Sequence, residues 1–76
     1  MRKLMQTGRD IRAERNRYQP IVSQRELARA ADLGRGTHLL SALERGRVQL
    51  DDNMRRRIEA AFDTIEKRRR ELSSRA

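Results

Sequence analysis

"SQRELARAADLGRGTHLLSALERG", residues 23–46, sets two short helical patterns on either side of a glycine-bearing turn. Ser23 and Glu26 have capping-box spacing. The Ser23 hydroxyl can accept from the Glu26 N–H while the Glu26 side chain reaches back to the Ser23 N–H. Val22 and Leu27 flank this start at the spacing of a hydrophobic staple. Leu27, Ala28 and Ala31 then share an inner face, with Arg25 and Arg29 outside. Asp32 to Gly36 is too glycine-rich to continue the helix. A second helix is expected from about Thr37 to Arg45, with Leu39, Leu40 and Leu43 inward. Gly46 stands where a helix C-terminus favours a left-handed residue.

The flanking sequence extends this pattern. Residues 4–17 read as a first helix, because Leu4, Gly8, Ile11 and Arg15 recur on one face. Arg12, Arg15 and Arg17 make it basic. Pro20 lacks a backbone donor and disfavours a helical Gln19, so 18–22 is a loop. Asp51 or Asp52 caps a last helix, about 52–73. In it Met54, Ile58, Ala61, Ile65, Arg68 and Leu72 form a near-heptad stripe with one charged member. Its first half, through Phe62, is expected to close the core. Its second half projects, with Ile65 and Leu72 as candidate dimerisation residues.

Seventy-six residues make one domain, 1–76. Leu, Ile, Val and Phe number 15, so the core must be thin and helped by a partner or ligand. The net charge is +8, which concentrates the chain near polyanions. There is no cysteine, so neither a disulfide framework nor a thiolate metal site is expected. The lone His38 makes no zinc site by itself. "MRKLM" (1–5) begins like a secretory leader, but no apolar segment follows, and a cytoplasmic, nucleoid-associated protein is expected.

Two helices joined by a glycine-containing turn make a helix-turn-helix unit, and its meaning depends on what faces outward. With Leu40 and Leu43 inward, Thr37, His38, Ser41, Ala42 and Arg45 lie outside. Glu44 is the only acid between positions 35 and 50. Short, polar or cationic side chains suit a helix set against base edges, where acids would repel phosphate.

These residues resemble the lambda-repressor-like (Xre/Cro-type) helix-turn-helix domain. The resemblance is carried by "GRDIRAER" (8–15), "SQRELARAADL" (23–33), "SALERG" (41–46) and "RIEAAF" (57–62), in the family order. It implies a compact all-α domain of four or five helices, with the helix-turn-helix core at about 23–46. It also implies a regulator, usually a repressor, that binds inverted-repeat operator DNA as a homodimer. By the same resemblance Gln24 fixes phosphate and recognition-helix contacts, and Thr37 and His38 read base edges. Ser41 and Ala42 follow one turn later, and Arg45 and Arg47 approach phosphates. Glu44 pairs with Arg15. "RYQPIV" (17–22) and "DLGRG" (32–36) are each about two residues longer than the family's connections, and Asp32 stands where a Gly is common. The longer turn makes Arg35 a candidate groove-edge contact.

Other readings follow from the same residues. Gly34 and Gly36 form a turn rather than a phosphate cradle, since no strand precedes them and no Lys-Ser/Thr follows. The "RRR" runs at 55–57 and 68–70 read as solvated faces. Arg2 and Lys3 are candidates for a basic arm. Tyr18 covers the core edge. The expected partners are double-stranded DNA, a second copy of the chain and, as a rival function, a regulatory protein bound through the C-terminal helix, as in an antitoxin or antiactivator. RNA binding is disfavoured, because Tyr18 and Phe62 are the only aromatic residues. No enzyme, cofactor, metal or membrane span is expected.

Overall fold

Residues 6–34 and 36–74 are described by a computed structural model of the chain. They form α1 (Gly8–Arg17), α2 (Gln24–Ala30), α3 (His38–Glu44) and α4 (Asp52–Ser74), with no strand among the described residues. The all-helical expectation holds, with four helices and a long C-terminal one. Arg2, Lys3, Leu4 and Arg35 lie outside the described residues.

Helix α1 begins later than the apolar spacing predicts. Thr7 is extended, and one Asp10 carboxylate oxygen accepts the backbone N–H groups of Gln6 at 2.8 Å and Thr7 at 2.9 Å. Those two amides are held outside the helix, which therefore starts at Gly8. At the start of α2 the Ser23 hydroxyl accepts the Glu26 N–H at 3.0 Å. The reciprocal half of the expected box does not form, because the Glu26 carboxylate turns to Arg69, 3.2 Å away. Asp51, rather than Asp52, caps α4 by accepting the Met54 N–H at 2.7 Å. Asp52 pairs with Arg55 instead.

Helices α2 and α3 end alike. The Leu33 N–H reaches the Ala28 carbonyl and the Asp32 N–H reaches that of Arg29. The Arg47 N–H reaches Ala42 and the Gly46 N–H reaches Leu43. Both ends are Schellman motifs, which need a left-handed residue after the last helical one. Gly46 supplies it at φ 78. Asp32 supplies it at φ 56, a position costing a non-glycine residue up to roughly 1–2 kcal/mol. Arg57 of α4 donates to the carbonyls of Ala31 and Asp32 at 3.1 and 2.8 Å, so this strained end is held from outside α2.

The core joins Ile11, Val22, Leu27, Leu40, Leu43 and Phe62 with Ala28, Ala31, Ile58, Ala61 and Ile65. Helix α1 packs on α3, and α2 packs on both α3 and α4. Leu39, expected inward, is half-buried at the edge of this cluster. Ile65 corrects a second expectation. It is 1% exposed inside the chain's own core, which therefore closes one turn beyond Phe62, and it offers no side chain to a partner. Leu72, the other residue expected at a dimer face, is 67% exposed. Beyond Ile65 the helix does not project freely. Arg69 donates to the Pro20 carbonyl and to Glu26, and its guanidinium lies 5.6 Å from the Tyr18 ring centroid. Tyr18 in turn stacks on Phe62 at 5.6 Å and 12°.

Helix α1 comes very close to the end of α3 at Gly8. A Cβ there would lie 1.6 Å from the Leu43 carbonyl oxygen, which is backbone and cannot swing aside. Helix propensity alone would make Gly8→Ala stabilising by about 1 kcal/mol. Overpacking of about 1–3 kcal/mol outweighs that gain. The net loss of about 1 kcal/mol is expected to lower the melting temperature of Gly8→Ala by about 4–8 °C. A rise on thermal circular dichroism would show that α1 does not approach α3 this closely.

Candidate nucleic-acid interface

The orientation of α3 depends on one buried guanidinium. Arg15 sits in the last turn of α1. Its Nε donates to Glu44 Oε2 at 2.8 Å and its Nη2 to Oε1 at 2.7 Å. The third nitrogen, Nη1, donates to the Val22 carbonyl at 3.0 Å, while the Val22 N–H returns to the Arg15 carbonyl at 3.2 Å. Gln24 Nε2 adds a donor to Glu44 Oε1 at 3.2 Å. The side chains of Arg15 and Glu44 are 11% and 5% exposed. One fork-to-fork pair thus links α1, the loop before α2, α2 and α3, in a medium that strengthens each contact. The pairing implied by the family resemblance is present in this geometry.

Fixing Glu44 fixes which side of α3 faces out. Leu40 and Leu43 point into the core. Half a turn round the helix, His38, Ser41, Ala42 and Arg45 fall on the opposite side at i, i+3, i+4 and i+7. His38 and Arg45 are exposed, and Ser41 and Ala42 are half-buried. Thr37 is not the first helical residue but the one before it, with φ −105 and ψ 10. Its carbonyl accepts the Ser41 N–H at 2.8 Å, and its hydroxyl makes no cap bond.

Two clefts border this face. One, of about 290 Å³, is lined by Arg12, Gln24, Ser41, Arg45 and the Arg15–Glu44 pair. The other, of about 590 Å³, lies between α2 and the turn before α3. Arg25, Arg29, Gly34, Gly36, Thr37 and His38 line it. The structure therefore brings Gln24, Ser41 and Arg45 together on one side and Thr37 and His38 on the other. Arg47 is exposed beyond Gly46 and lines neither cleft. Arg12, Arg25 and Arg29 were not among the expected site residues. The i,i+4 spacing of the last two was visible in the sequence, but their nearness to His38 depends on how α2 crosses α3.

Among the described residues, no group of three His, Cys, Asp or Glu is placed to hold a metal ion. No described helix is long and apolar enough to cross a membrane. Comparison with protein-family models, curated proteins and solved structures finds no match to this chain.

Removing one partner of a buried ion pair strands the other charge, at about 3–5 kcal/mol. Arg15→Ala is expected to lower the melting temperature more than any substitution on the outer face of α3. The double variant Arg15→Met with Glu44→Met should melt above the Arg15→Ala single, since neither charge remains buried. An unchanged melting temperature in Arg15→Ala, measured by circular dichroism, would contradict the pair's structural role.

Proposed function

We propose that this chain is a sequence-specific double-stranded DNA-binding regulator with a lambda-repressor-like helix-turn-helix domain. In this reading α2 crosses the sugar-phosphate backbone and α3 enters the major groove, whose width admits one helix. The reading rests above all on the outer face of α3. That face is free of acids, carries short side chains that permit close approach, and is rimmed by arginines. Among the described residues, Arg45 and Arg47 make no ion pair, in contrast to Arg15, Arg17, Arg55 and Arg69.

Each residue then has a role. Thr37 and His38 meet base edges first. Ser41 donates or accepts one turn later, and Ala42 sits against a thymine methyl. Arg45 and Arg47 take phosphates. Gln24, held by Glu44, links the backbone-crossing helix to the reading helix. Phosphates supply most of the affinity and the α3 face supplies the discrimination. The protein would act in the cytoplasm, at the nucleoid, as a repressor. As a homodimer it would place two copies of α3 about one helical turn apart on an inverted repeat. With Ile65 enclosed, the dimer seam moves outward to Leu72, which is 67% exposed.

That same exposed residue favours the second reading, a protein-interaction module working through the distal half of α4. Selection of bound duplexes from a random pool separates the two. The DNA reading expects an enriched inverted repeat, with preferences that change at defined positions in Thr37→Ala and His38→Ala. Six to ten neutralised phosphates should give log K a slope of about −5 to −9 against log salt. An enriched single half-site would remove the dimer but keep DNA binding. No enrichment, or a slope near −1, would remove DNA binding and leave the interaction module.

A further inference from the structure

The cleft between α2 and the turn before α3 holds two arginines whose position nothing inside the described chain explains. Arg25 and Arg29 are four residues apart on α2, so their side chains rise from one face one turn apart. Both are exposed. Among the described residues neither makes a salt bridge or a side-chain hydrogen bond. The buried and half-buried arginines, by contrast, are spent on structure. Arg15 holds Glu44, Arg69 holds Glu26 and Pro20, and Arg55 holds Asp52. Exposed Arg57 also works inside the chain, on Ala31 and Asp32.

The cleft beside them is open and lacks acids. Its described lining contains no Asp or Glu. A Cβ built on Gly34 meets nothing within 4 Å, and Ala28 leaves the wall of α2 low between the two arginines. The Thr37 hydroxyl makes no cap bond and stands at the rim. His38 lines the same cleft and also lies on the outer face of α3. The outer face of α3 and the cleft that holds Arg25 and Arg29 therefore adjoin at His38.

We infer that Arg25 and Arg29 form a phosphate-binding seat for the DNA backbone, distinct from the Gln24–Arg45 side of α3. The inference rests on the DNA-binding reading and adds a binding site to it. Planar guanidinium groups match phosphate oxygens in pairs of parallel hydrogen bonds. Because both arginines are solvated, their effect comes through release of condensed counterions rather than through a buried ion pair. The seat reads no base. It sets how far α3 slides along the groove, and it contributes equally on every sequence.

The seat has a distinctive signature. Arg25→Gln with Arg29→Gln removes two charges from an exposed face. Affinity is measured over a salt series for a selected duplex and for a scrambled one. Wild type, the double Gln variant, Arg25→Lys with Arg29→Lys, and Arg56→Gln on α4 as a control are compared, with circular dichroism melting on each. The double Gln variant should bind both duplexes more weakly by the same factor. The magnitude of its salt slope should fall by about 1.8 per bound protomer, and so by about 3.6 for the homodimer, at roughly 0.9 per phosphate released. The double Lys variant and Arg56→Gln should keep the wild-type slope. If wild type discriminates between the duplexes and the double Gln variant keeps its slope, the seat is wrong and the DNA reading stands. A changed ratio between the duplexes would also overturn the seat, since it would mean base readout. If wild type does not discriminate between the duplexes at all, the DNA reading falls and the seat falls with it.

Discussion

A single guanidinium, that of Arg15, ties four parts of this small chain together. Three of its nitrogens donate to named acceptors on α3 and on the loop before α2. Its partner Glu44 also receives Gln24 from the start of α2. An ion pair so far from water gains little net stability, because desolvating both charges costs about as much as their attraction returns. Its value lies in geometry. A forked donor meeting a forked acceptor admits one arrangement, whereas the apolar contacts of Leu40 and Leu43 would tolerate rotation of α3. A seven-residue helix has little other means of fixing its rotation. The glycine at position 8 completes the constraint, because it lets α1 come close enough for Arg15 to reach.

The exposed chemistry follows from that rotation. With Glu44 turned inward, the acid nearest the outer face of α3 is neutralised, and what remains outside is short or cationic. The turn that delivers α3 is set by Asp32 in a left-handed conformation and steadied by Arg57 from α4. Helix α4 is therefore more than a lid on the core. Through Arg57 it holds the end of α2, and through Arg69 it holds the loop at Pro20 and the start of α2 at Glu26. Both arginines belong to runs that look like solvated charge in the sequence.

What could be read in advance was local. The Ser23 cap, the positive φ at Gly46, a cap at Asp51 or Asp52 and the loop forced by Pro20 each depend on a few neighbouring residues and elementary stereochemistry. The α3 face was also legible, because Leu40 and Leu43 fix the inside of a short helix. The later start of α1 was missed because Asp10 works through Gln6 and Thr7, outside the apolar spacing. Ile65 was misplaced because a heptad stripe does not say where the enclosing helices end. Arg69, one step off that stripe, faces the core edge instead of Arg68. The cleft at Arg25 and Arg29 depends on the crossing of α2 and α3, which no one-dimensional pattern contains.

We propose that the buried pair presents the outer face of α3 to a duplex. Backbone amide NMR of the protein titrated with a selected duplex tests it most directly. The largest shift changes are expected at Gln24 and across Thr37–Arg45, with the amides of Ile58–Ile65 in α4 nearly unmoved. Changes concentrated in the distal half of α4, with α3 silent, would contradict it.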